Sequence, residues 1–229
     1  MTDPRRLLAR LNPATARYDA GLGGIPSLTA QDIAAAIAFV PAGLGREVMC
    51  AVWWPDGAVL TRRVLHGHVA RIVQERWRKQ QRDLADARIE LGMAHAIAGW
   101  HGRTTDEQRR NIRRAEIDYE AAKTRCWPDA LPSRLKKLTE TALIELAGDY
   151  RCRRCDGRGH VITGNLVALC ETCSGSGAGK MSDCERALLI GVNESTFRRV
   201  WTGVYQWLLT TMADAELQAR EDMAGALSE

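Results

Sequence analysis

No apolar run in this chain is long enough to cross a bilayer. The first residues, Met1-Thr-Asp-Pro-Arg-Arg, lack the apolar core and cleavage site of a secretory signal. These two absences predict a soluble, cytoplasmic protein. No glycine-rich phosphate loop of Walker type occurs. His66 and His68 have no carboxylate or cysteine constellation around them in sequence and read as a surface pair on a helix. No catalytic residue can be nominated. Neither sign of charge dominates: 32 Lys and Arg stand against 28 Asp and Glu, with a formal net charge of +4 and a pI of about 8.8. That mildly basic balance permits nucleic-acid binding without demonstrating it. Low-complexity tracts are absent. Phenylalanine is scarce, two residues against seven tryptophans. The tryptophans are scattered, so core packing is the default reading for each.

The length, 229 residues, suits one or two domains with a real core. Four of the seven cysteines fall in two pairs, Cys152-Arg-Arg-Cys155 and Cys170-Glu-Thr-Cys173. Each pair is followed by glycines at the same spacing, Gly157 and Gly159 after the first, Gly175 and Gly177 after the second. The unit C-x-x-C-x-G-x-G therefore occurs twice. Two cysteines separated by two residues can point at one ion, and two such knuckles complete a tetrahedral thiolate site for zinc. Glycine after a knuckle fits a tight turn with positive φ. The alternatives are disulfides or a redox pair. A redox C-x-x-C normally stands alone after a strand and opens a helix, and that context is missing. His160, beside the metal site, is then exposed or supports a thiolate, because four thiolates already satisfy zinc. Cys50, Cys126 and Cys184 share no spacing and read as free thiols in a reducing compartment.

Residues 1–27 are rich in proline and glycine and read as an irregular arm. Thr29 to Asp32 resembles a capping box, and Ile33, Ile37 and Val40 follow at helical spacing. The stretch from Val48 to Trp54 admits helix or strand. From about Thr61 to Trp100 the pattern is helical, with a break expected near Gly92 or Gly99. Another helix is predicted from about Thr105 to Lys123. Arg109, Arg110, Arg113 and Arg114 lie near its start, where arginine opposes the helix dipole. They are candidates for contact with a nucleic acid or another partner, against the plainer reading of a solvated face. Residues 133–148 read as a helix that leads into the cysteine pairs.

After the cysteines, Ser182 to Glu185 has the S-x-x-E form of a helix start. Ala187, then Gly191, then Phe197 have the spacing of a helix-turn-helix: a small residue where helices cross, a glycine in the turn, an apolar residue packing back. That arrangement leaves Asn193, Glu194, Ser195, Arg198 and Arg199 outward. Asn193, Ser195, Thr196, Arg198 and Arg199 are the candidate DNA contacts, with Lys180 and Arg186 added by proximity. Paired arginines suit phosphates or bidentate contact with guanine. An ordinary helical hairpin capping the zinc module is the competing reading.

Two resemblances follow. The repeated knuckle resembles the cysteine-rich region of J-domain co-chaperones, but that family carries four copies and a His-Pro-Asp tripeptide, which this chain lacks. Residues 149–209 resemble the lambdoid phage Q family of late-gene transcription antitermination proteins. The match comprises both cysteine pairs with their glycines, the Met181-Ser182 helix start, the Ala187-Leu188-Leu189-Ile190 run and the Ser195 to Arg199 segment. The resemblance implies a factor that binds double-stranded DNA at a late promoter and loads onto paused bacterial RNA polymerase. It would contact the β-subunit flap and the primary sigma factor and carry the enzyme through terminators. A zinc-containing repressor or activator is the first alternative. A zinc-ribbon chaperone-like or scaffolding module is the second.

The expected architecture is therefore mostly α, with an inserted zinc-ribbon-like four-cysteine module and a C-terminal helix-turn-helix. The arm covers 1–27 and a helical domain 28–130. The DNA-binding region covers 131–212, with the zinc module at 150–178 and the helix pair at 182–209. A tail covers 213–229.

Overall fold

The structure is a computed structural model. It describes Pro4, Leu8 and residues 30–54, 62–100, 104–148, 154–155, 160–163, 166–175 and 181–227. The chain is mostly helical. In order come α1 (Ala30–Phe39), α2 (Leu44–Trp53), α3 (Arg62–Gly99), α4 (Asp106–Arg125) and α5 (Leu131–Leu146). A hairpin of β1 (His160–Thr163) and β2 (Leu166–Leu169) follows, then α6 (Asp183–Ile190). The last helical stretch comprises a short α7 (Glu194–Thr196), a π-helical turn (Phe197–Trp201) and α8 (Thr202–Ala226). No helix among the described residues is long and apolar enough to cross a membrane.

Two compact units form: Met1–Val69 with Pro132–Glu229, and Ala70–Leu131. The stretch 28–130, read from sequence as one domain, is thus divided at Val69.

In the first unit, α2 packs on α8. The ambiguous stretch from Val48 is helix because Glu47, Val48, Met49, Cys50 and Ala51 are all buried, so alternation of the strand kind has nothing to face. Gly45 is required there. A Cβ at Gly45 would run into the backbone carbonyl of Ala215 and lie 3.1 Å from the Ala219 Cβ. Ile33, Ala36 and Val40 of the α1 region close the same cluster with Met49, Ala219 and Met223. Leu8, from the segment read as an arm, is fully buried in it. Residues 213–226, set apart from sequence as a tail, belong to α8 and supply Glu216, Ala219 and Met223 to the interior.

The second unit is an antiparallel helical hairpin. Along α3 from Val73 onward the residues withdrawn from solvent are Val73, Trp77, Gln80, Leu84, Ala87, Leu91, Ala94 and Ala98. Their spacing alternates four and three, the seam of a coiled coil. The matching positions of α4 are Gln108, Ile112, Ala115, Tyr119 and Ala122. Cys126 and Trp127, just past α4, lie against Gln80: the thiol donates to its carbonyl at 3.5 Å and the Trp127 amide to its Oε1 at 3.1 Å. The helix runs through Gly92 without the expected break and stops at Gly99. Gly92 faces open space, off the seam, so it costs only the intrinsic propensity of about 1 kcal/mol. At the start of α4, Thr105 and Gln108 form a reciprocal capping box. Asp106 and Glu107 in the first turn offset the arginines there, and Arg109 pairs with Asp106 at 2.5 Å. Trp100 departs from the core-packing default: it is 86 % exposed.

Candidate metal and nucleic-acid site

The knuckles flank the hairpin. Cys155 precedes β1, and Cys170 directly follows β2, so antiparallel pairing of His160 with Leu169 brings the two ends together. The sulfurs of Cys155, Cys170 and Cys173 all lie within 4.8 Å of one another. Cys155 and Cys170 are buried and Cys173 half-buried. Cys155 Sγ and Cys173 Sγ are 3.7 Å apart. A disulfide would require about 2.05 Å. A tetrahedral zinc with Zn–S bonds of about 2.3 Å sets its sulfurs about 3.8 Å apart. The residues thus fit a thiolate-bound metal ion and not a disulfide. Cys152, the fourth ligand expected from sequence, lies outside the described residues, as do Gly157, Gly159 and Gly177.

The second knuckle turns as its glycine requires. Gly175 has φ 85° and its amide donates to the Cys170 carbonyl at 3.3 Å. Ser174 also adopts positive φ, 49°, a conformation that non-glycine residues seldom take. His160 begins β1 and is half-buried.

Beyond the hairpin, α6 starts on the Ser182 and Glu185 capping box. It ends at Gly191, which is left-handed with φ 80°, the conformation glycine accepts at no steric cost. Arg134 of α5 donates to the carbonyls of Ile190 and Gly191 at 2.9 and 2.8 Å. A cation on these terminal carbonyls also complements the helix dipole. Asn193 then caps the next helix, accepting from the Thr196 amide at 2.7 Å and from the Ser195 hydroxyl at 2.9 Å. Phe197 and Trp201 are buried; Arg198 and Arg199 between them are exposed. This stretch is π-helical: the Thr202 amide donates to the Phe197 carbonyl, five residues back. Such turns occur often at functional sites. No sequence signal pointed to it.

The candidate contacts divide by environment. Arg198 has a side chain 64 % exposed and pairs with Glu194 at 2.5 Å and Asp183 at 3.4 Å. Asn193 and Thr196 serve as the cap just described. Arg186, a DNA candidate by proximity, is engaged within the fold. Its guanidinium grips Glu145 with Nε and a terminal nitrogen at 3.0 and 2.5 Å, reaches Asp183 at 3.1 Å and stacks over Tyr205. Tyr205 in turn donates its hydroxyl to Glu145 at 2.7 Å. Burial, then the Glu145 hydrogen bond, push the Tyr205 phenol well above the ordinary tyrosine range. The hydrogen bond to Glu145 raises the Arg186 guanidinium, so both stay protonated. Lys180 lies outside the described residues.

Arg109, Arg110, Arg113 and Arg114 lie in the second unit, all exposed on α4. His66 is not a bare surface residue: its Nε2 lies 2.9 Å from Glu140, which also binds Arg62 at 2.6 Å.

The chain matches no protein-family model and no curated protein.

Proposed function

We propose that this protein is a phage or prophage antitermination factor that binds a late-promoter DNA element and paused RNA polymerase and then promotes readthrough of terminators. Its metal is zinc, held by Cys152, Cys155, Cys170 and Cys173 in a closed structural site. The helix pair α6 and α7–α8 is a helix-turn-helix whose second helix enters the major groove.

The observation that carries this reading is the exposed Arg198 and Arg199 on a π-helical turn just after the Asn193 cap. The preceding helix is fastened to α5 through Arg186, Glu145 and Arg134, so the arginines stand on a fixed base. Glu194 and Asp183 hold Arg198 in place without DNA and must yield it to a phosphate or a guanine edge. A thiolate-bound zinc would supply rigidity beside this base and no reaction.

A transcription assay tests the proposal. The template carries a late promoter with its element and a downstream intrinsic terminator. Added protein should raise the fraction of transcripts that read through. Scrambling the element, or changing Arg198 and Arg199 together to alanine, should abolish the effect. Each arginine that touches a base should be worth about 1–3 kcal/mol of DNA affinity. Blocked initiation with unaltered termination would instead establish a repressor.

A further inference from the structure

The turn between α6 and α7 collects positive charge. A Cβ placed on Gly191 would lie 2.9 Å from the Lys137 Nζ and 3.2 Å from the Arg134 Nη1. The ammonium and the guanidinium therefore converge on one point beside the turn. Arg134 binds the carbonyls of Ile190 and Gly191 with that single nitrogen, and its other terminal nitrogen has no partner among the described residues. Lys137 is exposed, and its ammonium makes no hydrogen bond or ion pair among the described residues.

The neighbouring acids do not neutralise this pair. Glu140, on the next turn after Lys137, is held by Arg62 and His66. Glu194, just past Gly191, is held by Arg198. The first turn of α5 contains no acidic residue, whereas α4 and α6 both carry acids in theirs. A single cation suffices to cap the carbonyls at the end of α6. A second beside it adds repulsion with no compensating contact among the described residues. Cations set around one point, with N–H donors unspent, are what a phosphate oxygen requires.

We propose that Lys137 and Arg134 together bind one backbone phosphate of double-stranded DNA. The contact rests on the helix-turn-helix reading and extends it to α5, a helix outside the pair. Gly191 ends α6 and stands just before the Asn193 cap, where the second helix begins. A helix in a major groove about 12 Å wide has a sugar-phosphate backbone along each side. The turn that leads into that helix passes beside one of them. A phosphate held there would fix the depth and register of Arg198 and Arg199 and carry no sequence information itself.

Because a phosphate contact is indifferent to sequence, a fluorescein-labelled duplex of arbitrary sequence is a sufficient probe. Anisotropy titrations of the full chain are run over a range of salt. For Lys137→Gln the salt slope should be flatter by about 0.9 and binding roughly eightfold weaker at about 0.1 M salt. Lys137→Arg should keep both at the wild-type value. The melting temperature of Lys137→Gln should match wild type, because the side chain is exposed. Lys79→Gln, which removes another exposed lysine from the second unit, should keep the wild-type slope. An unchanged slope in Lys137→Gln, beside a flattened one when Arg198 and Arg199 are both alanine, overturns this contact and leaves the helix-turn-helix reading standing. Equal flattening by Lys137→Gln and Lys79→Gln shows a general charge effect and overturns it too. A wild-type chain that binds no duplex at low salt overturns the reading and the contact together. Inorganic phosphate that shifts the Gly191 amide resonance, while Lys137→Gln leaves duplex binding unchanged, would assign the site to free phosphate and equally overturn the DNA contact.

Discussion

Replacing Arg186 by alanine should destabilise the fold. Its side chain and that of Glu145 are 16 and 17 % exposed, so the pair is mostly withdrawn from water. The substitution leaves the Glu145 carboxylate with only the Tyr205 hydroxyl and removes the cation from the face of that ring. Breaking a fully buried pair costs about 3–5 kcal/mol. Residual exposure of both partners reduces the expectation to about 2–4 kcal/mol. In a domain of this size that lowers the melting temperature by about 4–16 °C. Thermal melts by circular dichroism measure it, and a cycle with Glu145→Gln should show a coupling of about 1.5–3 kcal/mol. DNA binding, measured well below the melt, should keep its salt slope. An unchanged melt together with a salt slope flatter by about one unit would refute the assignment and return Arg186 to the DNA surface.

Purified protein should carry one zinc per chain by elemental analysis, and Cys155→Ser should lose it. Thiolate-bound zinc contributes on the order of 10 kcal/mol to local folding, so amides of the β-hairpin should then exchange freely, whereas Cys50→Ser should leave them protected. Gly45→Ala should destabilise by about 1–3 kcal/mol, since the Ala215 carbonyl occupies the space. Gly203→Ala, which meets nothing within 4 Å, should be neutral or stabilising by up to about 1 kcal/mol in denaturant titrations. Burial, then Glu47, push the Cys50 thiol up to about 11 from 9.0. The folded state therefore holds this proton where the unfolded state has lost it. Stability should be unaffected below pH 9 and fall as pH rises from about 9 to 11, by about 1.4 kcal/mol per unit at most. Cys50→Ala should flatten that part of the pH profile.

Much of the architecture was legible because its signals are local. The helical periodicity of α1, α3, α4 and α5, the capping box at Ser182 and the left-handed Gly191 each depend on residues within about a turn of one another. The paired cysteines were legible for the same reason: ligand spacing is a local property, and the cluster of Cys155, Cys170 and Cys173 was announced by it.

What the tertiary structure decided depends on residues far apart in the chain. The stretch from Val48 became helix because α8, more than a hundred residues later, covers it. Trp53 donates to Glu216 across 163 positions. Arg186 looked like a surface cation until Glu145, 41 residues earlier, accepted it. The π-helical turn had no local announcement, nor did the burial of Leu8, Glu216, Ala219 and Met223. A short sequence window records what a residue prefers. Whether a charge is solvated or paired, and whether an apolar run is covered on one side or all round, is set by which distant surfaces meet, because burial and pairing are properties of the packed whole.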